Sequence, residues 1–301
     1  MTEPANHTTA VRVLALTHFC GATPRMFEAL LRRFHTLDAI FAAGRASLSD
    51  IEGLPSKQAD RLEHIAERLA EAEAMALALA ARDITMVTRF DDAYSHLLFE
   101  LNNPPALLFV RGRVTDPAKR SVAVVGTSAA TTQGIALTSY LVKELARQDV
   151  QIISSLRGGI DNAVHLAARS AGGRSFAVID RGFDKVDQTE GIPVAIDIIQ
   201  TGGIISEYAP DVDTRPTRLS ESNRLIVGLA QAVVVTEVYS ESERTLDLLR
   251  ACRDVGKLAF LLVDPRHGAL ADARSLATVH ECGIILIEGL DKVSNIVKSL
   301  V

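Results

Sequence analysis

Apolar residues recur at helical spacing through the first eighty positions and at strand spacing through most of the rest. Met26, Leu30, Leu31 and Phe34 share one helix face, as do Leu62, Ile65, Ala66 and Leu69. Residues 11–81 are therefore expected to be helical, punctuated at Gly21 and at Ser49–Pro55, with the Ala-rich stretch 70–81 as a helix that touches solvent. Beyond residue 82 short apolar runs alternate with amphipathic stretches. The expected strands are Ile84–Val87, Ala106–Val110, Val122–Val125, Val150–Ser154, Phe176–Asp180, Gly203–Ser206, Ala232–Thr236, Lys257–Val263 and Gly283–Ile287. The expected helices between them are 132–147, 161–171, 190–200, 221–230 and 242–254. Strand–helix alternation over about 200 residues implies a mostly parallel sheet with helices on both faces. The chain thus divides into a small all-α domain over residues 1–81 and an α/β domain over 82–301.

Composition narrows the function. Of 301 residues, 48% are hydrophobic and 23% charged, which excludes a disordered, collagen-like or disulfide-scaffold chain. Aromatics make up 5% and Trp is absent, so a platform of many exposed rings for stacking bases is not expected. The net charge of −5 argues against a globally basic coat. A local patch remains open, because residues 107–185 hold eleven Lys and Arg against six Asp and Glu; a solvated surface of mixed charge explains such a window equally well. No run of 18 apolar residues exists, and the opening MTEPANHTTAVRVLALTHF, polar and acidic with an Arg inside its apolar stretch, does not fit a secretory signal. A cytoplasmic protein is expected. Cys20, Cys252 and Cys282 are widely separated, with no CxxC and no HExxH or HxxxH pair. Buried free thiols are expected, and neither a metal nor a cofactor.

Five segments carry candidate chemistry. In IEGLPSKQADRLEHI, the turn Gly53-Leu54-Pro55 before a polar helix start resembles a helix-hairpin-helix, which offers backbone N–H groups to a phosphate; a plain turn in a helical bundle fits as well. In VAVVGTSAATTQG, residues 122–134, a buried strand ends at Gly126, and Thr127 and Ser128 bring hydroxyls near a helix N-terminus. That arrangement suits a phosphate, though a glycine after a strand also serves as a simple turn. In IISSLRGGIDNAVHLAA, residues 152–168, Ser154 and Ser155 lead to Arg157, Gly158 and Gly159, and Asp161 is expected as helix N-cap. Arg157 suits a phosphate. His165, one turn after Asp161, forms with it either a catalytic pair or a cap beside a packed histidine. In GGIISEYAP a strand ends at Ser206-Glu207, and in LSESNRLIVGLAQAVVVTEV Asn223 and Arg224 begin a helix that feeds the next strand. The last four loops are expected to converge on one sheet edge.

Taken in order, PPALLFVRG, VAVVGTS, SSLRGGIDNAVH, GGIISE and SNRLIVGLAQAVVVTE resemble the DprA/Smf family of DNA-processing proteins over roughly residues 90–265. The resemblance implies an extended Rossmann-like fold, single-stranded DNA binding, assistance to RecA loading in natural transformation, a homodimer and no enzymatic activity. It further implies DNA contacts from Gly126, Thr127, Ser128, Arg157, Gly158, Gly159, Asn223 and Arg224. Ser154, Asp161, His165, Ser206 and Glu207 would order the loops. Several positions depart from the family pattern. Ser128 and Ser222 stand where relatives carry Arg, Ser154-Ser155-Leu156-Arg157 replaces Ser-Gly-Leu-Ala, and Ser242-Glu243-Arg244 and Asp247 replace Ser-Gly-Ser and a later Thr. Two phosphate-binding cations are thus missing, which lowers affinity for DNA and its salt dependence.

Two further readings stay open. The core also resembles phosphoribohydrolases of the lysine-decarboxylase-like group, which implies a nucleotide or small-ligand site, with Glu207, Glu237 and Glu243 as candidate acid–base carboxylates; no Gly-rich loop stands at Tyr239–Leu246. The substitutions at Ser128, Ser222 and Glu243 also fit a degenerate scaffold that keeps only partner contacts.

Overall fold

In the computed structural model, which describes residues 7–186, 192–264 and 268–289, the helical spacing of the first eighty residues becomes six short α-helices. They are α1 (His7–Leu14), α2 (Pro24–Phe34), α3 (Leu37–Phe41), α4 (Arg45–Ser49), α5 (Ser56–Glu63) and α6 (Leu69–Ala80). Their starts follow local chemistry: the Thr23 hydroxyl accepts from the Met26 N–H ahead of Pro24, and Thr36 caps α3 through the Ala39 N–H. Leu14, Leu16, Phe27, Leu30, Leu48 and Ile65 form the buried centre of this bundle. By its contacts the chain falls into two compact units, residues 1–94 with 102–109, and residues 95–101 with 110–301. The first unit therefore holds, besides the helices, strand β1 (Ile84–Thr88) and the first half of β2 (Leu107–Gly112).

The second unit alternates as the apolar runs require. Its elements are β3 (Ser121–Gly126), α7 (Thr132–Arg147), β4 (Gln151–Ser155), α8 (Ile160–Ser170), β5 (Ser175–Ile179), α9 (Phe183–Val186), α10 (Ile192–Thr201) and β6 (Gly203–Ser206). They continue with α11 (Pro216–Gly228), β7 (Ala232–Glu237), α12 (Glu243–Asp254), β8 (Leu258–Asp264), β9 (Gly268–Ala269), α13 (Ala273–Glu281) and β10 (Ile285–Glu288). The strands lie in the order β6-β5-β4-β3-β7-β8-β10, every neighbouring pair parallel, and β9 adds antiparallel to β8. Val122, Val124, Ile152, Ala232 and Val234 pack with Leu137 and Leu141 of α7 and Val164 of α8. Ala123, Val125, Ile153, Val233 and Val235, which alternate with them, are equally buried, so both faces of the sheet are covered.

All nine expected strands form within two residues of their expected ends. Four elements are not among the expected ones. The short 3-10 helix His96–Glu100 and the one-turn α9 are too short to show a period, β9 is two residues long, and α13 offers only Leu276 and Val279 as large apolar residues and starts on the cap Asp272, whose carboxylate accepts from the Ser275 N–H. Helix α11 starts five residues before its expected position, at Pro216, since the first turn of a helix needs no N–H from that residue. The helix expected over 190–200 is α10; residues 190 and 191 lie outside the described residues.

Candidate functional site

β3 lies between β4 and β7, and the chain passes from β3 to β4 long before it returns to β7 on the other side. Parallel sheets open a crevice at the carboxyl ends of the strands at such a reversal. Two adjoining cavities occur there. One, of about 380 Å³, is lined by Gly126, Ser128, Asn223 and the first turn of α12. The other, of about 440 Å³, is lined by Gly158, Asn162, Asp180 and Arg181. Arg157 and Arg244 line both.

Arg157 is held by neutral groups. Its guanidinium donates to Ser222 Oγ at 2.7 Å and to Asn223 Oδ1 at 3.2 Å. Asn223 in turn donates Nδ2 to the Arg244 carbonyl at 3.0 Å, which ties the start of α12 to the same bracket. Neither Arg157 nor Arg244 has a carboxylate within ion-pair distance among the described residues. Burial lowers the pKa of Arg157, and the nearby charges of Arg244 and Arg181 add to this, while Asp161 and Asp180 oppose it. A guanidinium remains protonated regardless. A partly desolvated cation fixed by neutral acceptors is prepared for an incoming anion.

The loop that carries Arg157 is ordered from beneath. Gly159 caps α8, and Asp161 lies inside its first turn, a correction to the expected N-cap. The Asp161 carboxylate accepts from the hydroxyls of Ser154 (3.3 Å) and Ser155 and from the Arg157 backbone N–H, while burial raises its pKa. Ser154 is also within 2.7 Å of the Val124 carbonyl. His165 makes no bond to Asp161: its Nε2 faces the Ser155 carbonyl at 2.8 Å and its Nδ1 the Ser175 hydroxyl at 3.0 Å. The pair is structural in its contacts. Burial pushes the His165 pKa down from 6.5 to about 4. The unfolded chain then binds the extra proton between these two values, so stability is complete above pH 6.5 and drains as pH falls toward 4, by about 3 kcal/mol over the whole window. The raised pKa of Asp161 acts in the opposite direction at the acid end. Urea midpoints measured from pH 7 to 5 should fall for the wild type and change less for His165→Gln; equal slopes would contradict this assignment.

The other expected site residues separate into two groups. Gly126 and Ser128 line the first cavity, Ser128 exposed, and Gly158 lines the second. A Cβ at Gly126 would lie 2.7 Å from Ile160 and 2.9 Å from the Glu237 carbonyl, so the turn packs directly on its neighbours. Thr127 is buried and already bonded: its N–H donates to the Glu237 carbonyl, and its hydroxyl accepts from the Ala129 N–H. The start of α7, expected to face a phosphate, is filled from within. The Glu237 carboxylate accepts from the Thr131 N–H at 3.0 Å and from the Tyr239 hydroxyl, and so acts as a built-in anion. Arg224 lines neither cavity; its Nη2 donates to both Glu207 oxygens, at 2.6 and 2.5 Å, so its charge is neutralised inside the protein. Ser206 orders its own loop, donating to the Arg181 carbonyl and accepting from the Tyr208 N–H.

Three residues, two that line the first cavity and one buried behind it, carry roles the sequence does not display. Arg244 supplies the second cation, Ser222 holds Arg157 where a missing charge was expected, and Thr245 donates its hydroxyl to the Gly126 carbonyl at 2.9 Å. Asp247 instead pairs with Arg250 on the outer face of α12. The three carboxylates do not meet: Glu207 and Glu237 are committed as described, and only Glu243, exposed, reaches the cavity, with Glu241 beside it. Glu243→Gln should strengthen binding of a polyanion by a factor of roughly two to five, the scale of one exposed charge interaction; unchanged or weaker binding would place the anion elsewhere. Among the described residues no three His, Cys, Asp or Glu side chains gather as metal ligands, all three cysteines are buried and free, and no helix is long and apolar enough to cross a membrane.

Comparison with known proteins agrees with this architecture. DNA processing protein DprA of Bacillus subtilis is 31% identical over 179 residues, which cover 58% of this chain and 60% of that protein. The Streptococcus pneumoniae protein of the same name is 32% identical over 195 residues, 62% of this chain and 69% of its own. Protein Smf of Synechocystis is 27% identical, over 76% of this chain and 58% of its own, so the chain spans about three fifths of two of these relatives. Among solved structures, DprA of S. pneumoniae superposes with a TM-score of 0.74 at 24% identity, covering 95% of this chain and 97% of that one. DprA of Helicobacter pylori, described for its single-stranded DNA binding mode, gives 0.61 at 21% identity, covering 72% of this chain and 97% of that one. These two share the fold. The family of DNA recombination-mediator protein A matches residues 85–268, the whole span from β1 to the start of β9, and the chain belongs to that family.

Proposed function

We propose that this chain binds single-stranded DNA through its phosphate backbone at the crevice between the β3, β4 and β7 loops. In that role it protects incoming DNA and assists RecA loading in recombination. The observation that carries this reading is the convergence of Arg157 and Arg244, both without a carboxylate partner among the described residues, on two joined cavities. Relatives named for DNA processing support it. The crevice is electrostatic: no aromatic side chain lines either cavity, so binding is expected to be tolerant of sequence and sensitive to salt. The chain acts as a binding protein without turnover, in the cytoplasm, as a homodimer with RecA as partner.

A second reading rests on size. A cavity of about 380 Å³ lies in the range that holds small ligands, so a mononucleotide fits. One experiment separates the two. Fluorescence anisotropy of labelled single-stranded and duplex oligonucleotides at two salt concentrations, with a mononucleotide as competitor, should show tighter binding of the single strand, weakening with salt and indifferent to the competitor. Absent or equal binding of both forms at low salt would overturn the DNA reading. Release of base or ribose phosphate from a nucleotide would overturn the absence of turnover.

A further inference from the structure

The first unit contains a groove of about 600 Å³ between α2 and the turn that joins α4 to α5. Arg25, Arg32 and Arg33 form one wall and Asp50, Glu52 and Gly53 part of the other. All three arginines are exposed. Positions 25 and 32 are two turns apart on one helix face, about 10 Å along the axis, and 33 lies beside 32.

These cations are uncompensated, unlike their neighbours. Arg12 sits on Asp38, Arg45 on Asp60, Arg68 on Glu71 and Arg89 on Glu28. The last pair also withdraws the one acidic residue of α2 from competition. Among the described residues Arg25, Arg32 and Arg33 have no carboxylate within ion-pair distance, although Asp50 and Glu52 line the same groove. The guanidinium of Arg33 lies over the Phe34 ring at 5.5 Å, which limits its freedom. Beyond Gly53 the chain enters α5, whose first turn has no side-chain cap. The turn that the sequence marks as hairpin-like thus faces a row of free guanidinium groups.

We propose that this groove is a second phosphate-backbone site for nucleic acid, separate from the Arg157–Arg244 crevice. Charges repeated along a helix face suit a polymer with a charge on every unit. The groove offers no strand edge for an extended peptide, and no aromatic side chain lines it, so bases are not read there.

The test uses the full chain and a labelled thymidine oligonucleotide, with a duplex of equal length as a parallel arm. Arg25→Ala/Arg32→Ala/Arg33→Ala should flatten the dependence of log K on log salt by about 2 on the single strand, at roughly 0.7 per lost contact. In a background carrying Arg157→Ala and Arg244→Ala, the same three substitutions should abolish the remaining salt-sensitive binding, which separates this groove from the crevice. A loss on both arms assigns the groove to backbone charge common to the two forms, and a loss on one arm assigns it to that form. Asp50→Asn/Glu52→Gln leaves the arginines in place and should tighten binding at an unchanged thermal midpoint. Unchanged affinity and slope in both backgrounds, no tightening in the Asp50/Glu52 variant, or displacement of DNA by an equal charge of polyglutamate would overturn the proposal.

Discussion

Gly159→Ala should destabilise the protein by about 3 kcal/mol or more, while Gly158→Ala, one residue away, should cost about 1 kcal/mol. Gly159 has φ +54° and ψ −122°, a region closed to residues with a Cβ. A Cβ there would lie 2.4 Å from the carbonyl oxygens of both Thr127 and Ser128. These are backbone atoms of the adjoining β3 loop, and the Ile160 N–H donates to the same Thr127 carbonyl, so that loop has no room to retreat. Gly158 has φ +88° and open space where a Cβ would go, so only conformational strain applies. Because Gly159 joins the Arg157 loop to the β3 loop, its substitution should also loosen the crevice. Urea denaturation of the two variants checks the contrast, and equal small losses would show that the loops do not meet as described.

The fold is legible in the sequence wherever burial is two-sided. Val122–Val125 and Ala232–Val235 read as unbroken apolar runs because helices cover both faces of those strands. What escapes is set by other physics. The turn α9 and the strand β9 are shorter than any period, and α13 shows only Leu276 and Val279 as large apolar residues behind its Asp272 cap.

The site is legible by region and less so by residue. Gly126, Arg157 and Gly158 stand out by their place after strands and Asn223 by its expected place at a helix start; the structure brings all four to the crevice walls, Asn223 from within α11. Arg224 stands beside Asn223 in the sequence, yet Glu207, seventeen residues earlier on the loop after β6, neutralises it, a pairing no spacing rule reveals. Arg244 shows the converse. Set between Glu241, Glu243 and Asp247 it looks like part of a solvated charged face, and only the packing of α12 against α11, through the Asn223 bond to its carbonyl, turns it toward the cavities. Thr127 and the start of α7 appear free for a phosphate until Glu237, more than a hundred residues later, is seen to occupy that helix end.

Removing the two crevice guanidinium groups that have no carboxylate partner among the described residues should have the largest effect on binding. On the proposed reading each supplies one charge-assisted phosphate contact worth about 1.5–3 kcal/mol, so Arg157→Ala/Arg244→Ala should weaken single-stranded DNA binding by roughly 100-fold or more. Arg244 is exposed and Arg157 bonds only to neutral groups, so no carboxylate contact is broken by the change. The deciding measurement is a salt titration of wild type and double variant against one single-stranded oligonucleotide, with circular dichroism to confirm that both are folded. The double variant should lose about 1.4 from the slope of log K against log salt, two contacts at roughly 0.7 each. A folded double variant with the slope and affinity of the wild type would place the DNA somewhere other than this crevice.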